Sequence, residues 1–275
     1  MTTLSEPLLH TAMKNQTSPY YPVILRVLLR TTNAARLADF YQKALGLVPR
    51  RESTAANTTS LVHPASGETL LTLVESPTSR PAPAGAPGLF HTAFLYPDLD
   101  DWVSAVSRVT RLTQGLSSAS DHGVSWAFYF SDPDGNGIEL AWDKPVDEWR
   151  WHGDRIQMTS LPLPLNSILM RQVKSSLETG KFQIGHLHLQ VADLNEAGYF
   201  NDLMDLHVTQ SSYPGALFMA RGSYHHHFAI NTWRARPHAI HPENATGLAG
   251  WEVARSDGST HFIDYQKLPL LFEAE

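Results

Sequence analysis

Residues 122–139 read HGVSWAFYFSDPDGNGIE, and this stretch is the most informative part of the chain. Two short apolar segments flank the turn sequence DPDGNG, in which proline presets one backbone angle and glycine accepts positive ones. The two segments are therefore predicted to pair as a hairpin. Because a hairpin brings side chains from its two arms together, His122, Tyr129 and Glu139 are expected to face one cavity.

The composition is that of a globular protein. The chain has 275 residues, of which 42% are hydrophobic and 17% charged, so one or two domains are expected. The net charge of -6 does not favour nucleic-acid binding. No apolar run reaches the roughly 20 residues that span a bilayer, and no signal peptide is evident, so we expect a cytoplasmic protein without a membrane or nucleic-acid partner. The absence of cysteine excludes disulfides, thiolate metal sites and cysteine nucleophiles.

The hydrophobic pattern repeats along the chain. Three units, each with a strand, a helix and further strands, are followed by an incomplete fourth unit. This order favours an α+β fold over a doubly wound parallel sheet. The predicted divisions are a flexible N-terminus over 1–20, two βαβββ modules over 21–145, a linker over 146–181, and a third module with an incomplete fourth over 182–275.

These residues suggest a family. The βαβββ repeat, the unit starts at His91 and His186, and the turn sequence DPDGNGIE resemble the vicinal oxygen chelate superfamily of glyoxalases, bleomycin-resistance proteins and extradiol dioxygenases. The resemblance covers roughly residues 22–253. The stretch from His122 to Glu139 is close to the signature of type I extradiol catechol 2,3-dioxygenases, with one departure before the histidine, at Ser120. The resemblance implies modules that form open half-barrel sheets around a metal site.

The resemblance also implies a set of metal ligands. Non-haem iron enzymes that activate dioxygen bind the metal with two histidines and one carboxylate on one face. His91, His186 and Glu139 match these positions. Module one has Arg26 at its histidine position, and the truncated fourth module has Gly250 near the corresponding place. Since no other pairing supplies a complete set, we predict that modules two and three close around the metal.

Further residues are expected beside the metal. The segment YHHH at 224–227 matches the part of extradiol enzymes that supplies a catalytic histidine, and the match places His226 at that position. His122 and Tyr129 would orient the substrate through hydrogen bonds. A surface patch is the alternative for the histidine run, and a structural role in the hairpin is the alternative for the tyrosine. His188 shares the strand face of the predicted ligand two residues before it, and is expected to pack.

The implied function is an extradiol ring-cleaving dioxygenase of aromatic compound catabolism. It would use Fe(II), or alternatively Mn(II), and O2 to open a small aromatic diol. Two alternatives stay open: a glyoxalase-like metal-dependent isomerase or transferase, and a metal-free protein of the same fold that binds an aromatic ligand. An isomerase of this kind is expected to use a second carboxylate or a glutamine in the site. The incomplete fourth module would leave a sheet edge or an apolar face uncovered, so a homo-oligomer is expected.

Overall fold

The computed structural model describes residues 22–51, 57–113, 118–170, 180–237 and 239–268. The N-terminal stretch 1–20, predicted to be flexible, lies outside these residues. Within the described ranges, no helix combines the length and the apolar character needed to cross a membrane.

The first two units each contain one helix and four strands. The first consists of β1 (Ile24–Thr31), α1 (Ala34–Leu45), β2 (Val48–Arg51), β3 (Thr58–Val62) and β4 (Thr69–Glu75). The second consists of β5 (Gly88–Tyr96), α2 (Leu99–Thr113), β6 (Ser118–Asp121), β7 (Ser125–Ser131) and β8 (Gly137–Asp143). The segment 146–181, predicted as a linker, includes the short elements β9 (Trp151–His152), β10 (Arg155–Ile156), β11 (Leu161–Pro162) and α3 (Leu165–Leu169).

The third unit repeats the plan, and the last one shortens it. The third consists of β12 (Gln183–Gln190), α4 (Ala197–Met204), β13 (His207–Gln210), β14 (Ala216–Ala220) and β15 (Phe228–Asn231). The fourth contributes β16 (Gly247–Ala254) and β17 (Thr260–Asp264). The predicted α+β fold, with repeated modules and a truncated fourth, is confirmed.

The four units pair out of chain order and form two curled sheets. One sheet has nine strands in the order β11-β6-β7-β8-β5-β12-β15-β14-β13, and its centre is the antiparallel contact between β5 and β12. The other has six strands in the order β17-β16-β1-β4-β3-β2, with an antiparallel contact between β1 and β16. Modules two and three therefore share one sheet, and modules one and four share the other.

Local chemistry explains where α1 begins and ends. The side chain of Asn33 accepts a hydrogen bond from the backbone N–H of Arg36, which satisfies one of the free amides at the helix start. Gly46 ends the helix in the left-handed conformation with φ 75°, which costs glycine little. The face of the helix that includes Leu37 and Tyr41 is buried in the core. Apolar residues at this spacing anchor the helix to its sheet.

The turn between β7 and β8 is organised by the buried carboxylate of Asp132. One oxygen accepts the backbone N–H groups of Asp134 and Asn136, at 2.9 Å each. The other accepts the Asn136 side chain at 2.8 Å and the Tyr41 hydroxyl at 3.0 Å. A Cβ at Gly137 would overlap the carbonyl oxygen of Phe90, so glycine lets β8 approach β5 closely. This turn therefore sets the register of β8, which carries Glu139.

Candidate metal centre

The candidate centre lies on the three middle strands of the nine-stranded sheet. In β5, Ala93 has Glu139 of β8 on one side and His186 of β12 on the other. His91 lies two residues before Ala93, so its side chain projects from the same face. The pairing of β12 with β5 is irregular on both sides of the segment 186–188. Such irregularities change the direction in which a side chain points, and they are frequent next to active sites.

The three predicted ligands converge in the structure. The Nε2 atoms of His91 and His186 are 3.1 Å apart. One oxygen of Glu139, Oε2, lies 3.1 Å from the first nitrogen and 3.3 Å from the second. All three side chains are buried, and they form a group able to hold a metal ion. No fourth histidine or acidic residue from the described ranges joins this group.

The spacing and chemistry of these atoms suit one divalent transition-metal ion. Bonds of about 2.1 Å at right angles would place neighbouring donor atoms about 3.0 Å apart, and tetrahedral angles would place them about 3.4 Å apart. The observed separations of 3.1 to 3.3 Å lie between these values. Imidazole nitrogens with a carboxylate oxygen are ligands for iron, zinc, nickel or manganese.

The protonation states also suit metal binding. Burial, opposed by the charge of Glu139, lowers the pKa of His91 to about 3. Burial by itself raises the pKa of Glu139, but His186 and His91 outweigh it and hold this pKa well below its usual range. The expected forms are a neutral imidazole and an ionised carboxylate, which are the forms that ligate a metal.

A second pair, His122 and Tyr129, lies beside the three ligands. The structure places His122 in the turn before β7, rather than on an arm of the hairpin. Its Nδ1 lies 2.8 Å from the carbonyl oxygen of Thr159, and its Nε2 lies 2.7 Å from the hydroxyl of Tyr129. A carbonyl only accepts, so Nδ1 carries the proton and Nε2 accepts the tyrosine proton. Tyr129 is the direct cross-strand neighbour of Glu139.

The remaining histidines of the site separate into two environments. The His226 ring lies 4.1 Å from the His186 ring, and burial, with His186 next, lowers its pKa well below the usual value. It lies in the buried loop that precedes β15. The Nε2 of His188 instead lies 2.9 Å from the side-chain nitrogen of Asn231. His188 is therefore hydrogen-bonded away from the three-ligand group, as expected for a packing residue.

These side chains open onto a cavity of about 360 Å³, within the range of small-molecule sites. Its wall includes aromatic and apolar side chains and several serines; the named members are Phe90, Met158, Tyr213, Phe218, Trp233, Ser118, Ser120, Ser125, Ser131 and Ser160. The guanidinium of Arg234 lies 5.6 Å from the centre of the Phe90 ring. An aromatic wall beside a polar cluster suits a planar ligand that carries hydroxyl groups.

Three residues that support this site were not among the predicted site residues. Thr159 binds His122 from within the segment predicted as a linker. Asp143 and His225 form a hydrogen bond of 2.9 Å beside His226. Asp143 had a usable signal, because it lies four positions after Glu139 in one strand and therefore on the same face. The contact of Thr159 had none, since it joins residues that are 37 positions apart.

Comparisons with known proteins identify a family and a relative that are similar to this chain. Residues 23–140 match the model of the Glyoxalase/Bleomycin resistance protein/Dioxygenase superfamily. A protein of Bacillus subtilis (strain 168) described as catechol-2,3-dioxygenase is 37% identical over 193 residues, which are 67% of this chain and 66% of that protein. The chain thus matches about two thirds of the length of that relative.

A solved structure resembles the fold over a longer range. The crystal structure of a "putative dioxygenase" from Bacillus subtilis subsp. subtilis str. 168 aligns with a TM-score of 0.56 and 13% identity. The alignment covers 86% of this chain and 71% of that one. At this identity the match concerns the fold alone, and it supports the repeated modules described above. The chain belongs to the glyoxalase/bleomycin resistance protein/dioxygenase superfamily.

Proposed function

We propose that this protein is an extradiol dioxygenase that opens the ring of a catechol-type substrate with O2. Fe(II), or alternatively Mn(II), would be bound by His91, His186 and Glu139. The observation that carries the proposal is the convergence of these three donor groups on one wall of the cavity. The relative described as catechol-2,3-dioxygenase supports the same activity.

The three ligands would hold the ion from one side and leave its other side for the reactants. When held by His91, His186 and Glu139, such an ion would supply Lewis acidity toward a diol and O2. Both atoms of O2 enter the ring-opened semialdehyde, so the reaction needs no separate reductant. The cavity wall of Phe90, Phe218 and Trp233 would hold the flat ring and exclude water.

His226 is proposed as the acid–base residue. It lines the cavity, and its lowered pKa keeps the ring neutral at physiological pH. A neutral imidazole in this place accepts a proton from a hydroxyl of the bound diol and later returns a proton to the product. His186 packs against this ring in a tilted contact, with ring centres 4.1 Å apart.

His122 and Tyr129 are proposed to orient the substrate. Thr159 fixes the tautomer of His122, and His122 in turn holds the hydroxyl of Tyr129 at 2.7 Å. Burial raises the pKa of Tyr129 well above its usual value, with Glu139 adding to the effect. The tyrosine therefore stays protonated, and its hydroxyl is a hydrogen-bonding group rather than an anion.

The isomerase alternative is less well supported by the site. It calls for a second carboxylate or a glutamine next to the metal. In the described part of the chain, Glu139 is the one acidic residue of the three-ligand group, and the cavity wall includes no glutamine. Cytoplasmic location and a homo-oligomer remain predictions, and size-exclusion chromatography tests the second against the 30.6 kDa of one chain.

The direct test is oxygen consumption by the iron-loaded protein. Purified protein is stripped with a chelator, loaded anaerobically with one equivalent of Fe(II), and mixed with aerated catechol, 3-methylcatechol or 4-methylcatechol. The expected result is uptake of one O2 per diol and formation of a yellow ring-cleavage product. Parallel loading with Mn(II), Ni(II) and Zn(II) tests the choice of metal.

Two controls make the result decisive. The Glu139→Gln protein should bind no iron and consume no oxygen. The matched variant Glu252→Gln changes a carboxylate in the other sheet and should behave like the unmodified protein. Iron bound in stoichiometric amount without oxygen uptake on any diol would contradict the proposal, and activity with Ni(II) or Zn(II) on a thiol adduct would favour the isomerase.

A further inference from the structure

A chain of hydrogen bonds leads from β8 to His226. Asp143, the last residue of β8, accepts a hydrogen bond from the hydroxyl of Tyr224 at 2.9 Å. Its other carboxylate oxygen lies 2.9 Å from Nε2 of His225. The Nδ1 of His225 lies 2.7 Å from the Nδ1 of His226. The two histidines and the tyrosine are buried, so these contacts are made away from bulk water.

The direction of each proton in this chain follows from its carboxylate end. An ionised carboxylate only accepts, so Nε2 of His225 must donate to Asp143. In neutral His225, Nδ1 then carries no proton and acts as an acceptor. In that singly protonated form of His225, the partner at 2.7 Å, Nδ1 of His226, carries a proton and donates it. The nitrogen of His226 that remains for the cavity is Nε2, with a free electron pair.

We propose that Asp143 and His225 are positioning residues for His226, because together they fix the tautomer in which His226 presents an unprotonated Nε2 to the substrate. The role rests on the proposed dioxygenase function, in which His226 must first accept a proton from the diol. Fixing a tautomer by a hydrogen bond to the other ring nitrogen is a general way to prepare a histidine for such a step. Neither positioning residue touches the substrate in this scheme.

Two aromatic side chains pack against this arrangement. The ring centre of Trp149 lies 5.0 Å from that of His225, and the tilted ring of Tyr224 lies 4.0 Å from it. Asp143 and Glu139 lie on the same face of β8, four residues apart. One strand therefore supplies both the carboxylate of the three-ligand group and the carboxylate that orients the acid–base histidine. Displacing β8 would disturb both functions together.

The tautomer can be measured without any turnover. Protein with 15N-labelled histidine is loaded with Zn(II), which is diamagnetic, and long-range 1H–15N spectra distinguish the Nδ1–H from the Nε2–H form. Unmodified protein should show His226 as Nδ1–H. His225→Phe removes the acceptor and should shift His226 to the Nε2–H form. His225→Asn is the matched rescue, since its side-chain oxygen lies near the place of the original Nδ1 and restores an acceptor.

Kinetics of the iron-loaded protein supply the second measurement. We expect kcat to fall at least about tenfold in His225→Phe while KM for the diol changes less than about threefold, because the residue acts on proton transfer and not on binding. His225→Asn should recover most of the lost kcat. Tyr224→Phe, which leaves the bond between Asp143 and His225 in place, should have a smaller effect than His225→Phe.

The outcomes separate this proposal from the proposed function. An Nε2–H form of His226 in the unmodified protein would overturn the positioning role, and so would an unchanged tautomer in His225→Phe. If His225→Phe does not fold, Asp143→Ala takes its place and should give a mixture of both tautomers; a pure Nδ1–H form there would also overturn the role. Absence of ring cleavage with the expected tautomer would instead count against the dioxygenase function.

Discussion

The two sheets share one plan but differ in the side chains at their centres. In each sheet a strand that begins one module lies between a parallel strand of its own module and an antiparallel strand of another. In the nine-stranded sheet, the central residue Ala93 has Glu139 and His186 as its two neighbours. His91 follows on the same face and completes the candidate metal-binding group.

The same positions in the six-stranded sheet hold different chemistry. The central residue Leu28 has Thr72 and Gly250 as its neighbours. Two residues before it, where the other sheet has a histidine, Arg26 forms an ion pair with Glu252 at 3.1 Å. An arginine is always protonated and donates only, so it does not ligate a metal ion. The backbone plan by itself therefore makes no metal centre.

The difference extends to how closely the neighbouring strands pack. A Cβ added at Gly250 would lie 2.5 Å from the carbonyl oxygen of Ile263 and 2.7 Å from the ring of Phe262, both on β17. A side chain at position 250 would therefore meet β17, whereas the corresponding register position of the nine-stranded sheet holds His186. A repeated module can therefore form the candidate metal-binding group only where side-chain identity and free volume coincide.

Removing the carboxylate from the first sheet should have the largest effect. Glu139→Gln should abolish stoichiometric metal binding and all oxygen uptake, because the two remaining imidazoles supply neither the third ligand nor the negative charge. Equilibrium dialysis with elemental analysis measures the bound ion. Equal metal content in Glu139→Gln and in the Glu252→Gln control would remove the distinction between the sheets.

Changing His226, the proposed acid–base residue, should leave a bound ion in place. His226→Ala should lower kcat by about 10²- to 10⁴-fold, the usual contribution of a positioned acid–base group, with unchanged iron content. The matched control is His261→Ala, an exposed histidine on β17 in the other sheet, which should retain full kcat. A loss of iron in His226→Ala would instead identify this residue as a ligand.

Introducing the three candidate ligands into the six-stranded sheet should not create a second metal site. The triple change Arg26→His, Thr72→Glu and Gly250→His copies the metal-binding set into the second sheet, but the side chain at position 250 meets the backbone of β17. We expect a loss of about 1–3 kcal/mol in unfolding free energy from overpacking and no second ion per chain.

Urea unfolding of Gly250→His alone isolates this steric term. Gly198→Ala is its control, because a Cβ there meets nothing within 4 Å and alanine suits the interior of α4. Two ions per chain in the triple variant would show that side-chain identity alone decides whether a sheet binds a metal ion.

The starts of two helices behind the sheets differ in their acidic side chains. The first turn of α1 has no acidic residue, whereas the turn before α4 contains the buried Glu196. Burial raises the pKa of Glu196 to about 7. The folded state therefore keeps a proton that the unfolded state loses near pH 4.5, so stability declines as pH rises from about 4.5 to 7.

Glu196→Gln retains a side-chain oxygen for the backbone N–H of Asp193 and removes the titration. As the pH rises from 5 to 8, the unfolding free energy of the variant should increase by about 1–2 kcal/mol relative to that of the unmodified protein. Urea unfolding at both pH values measures the gain. If the variant exceeds the unmodified protein in unfolding free energy by the same amount at pH 5 and at pH 8, the pH dependence of stability comes from another group.

The ion pair in the second sheet should matter least. The side chains of Arg26 and Glu252 are 34% and 26% exposed, and pairs in contact with water contribute about 0–1 kcal/mol. Arg26→Met should therefore change the unfolding free energy by less than about 1 kcal/mol, and a double-mutant cycle with Glu252→Gln measures the coupling. A coupling free energy above about 2 kcal/mol would mean that this ion pair stabilises the six-stranded sheet at the place where the nine-stranded sheet has its candidate metal centre.

Much of the site was predictable because its residues lie on regular strands and one tight turn. Asp132 and the glycines of the DPDGNG turn determine the geometry of the turn locally. The turn in this way fixes the positions of Tyr129 and Glu139, which lie on the two strands that flank it. Strand periodicity then assigns the face of each side chain. Thr159 was not predictable in this way, because it belongs to an irregular segment whose path depends on long-range contacts.

The sequence by itself determined the repeated modules, the three candidate ligands and the absence of thiolate chemistry, since these depend on residue identity and on local periodicity. Only the tertiary structure decided that His188 bonds to Asn231 and that Asp143 reaches His226 through His225. The physical reason is that hydrogen-bond direction depends on which donors and acceptors meet in space. The partners here are 43 and 82 positions apart along the chain, beyond the reach of any local pattern.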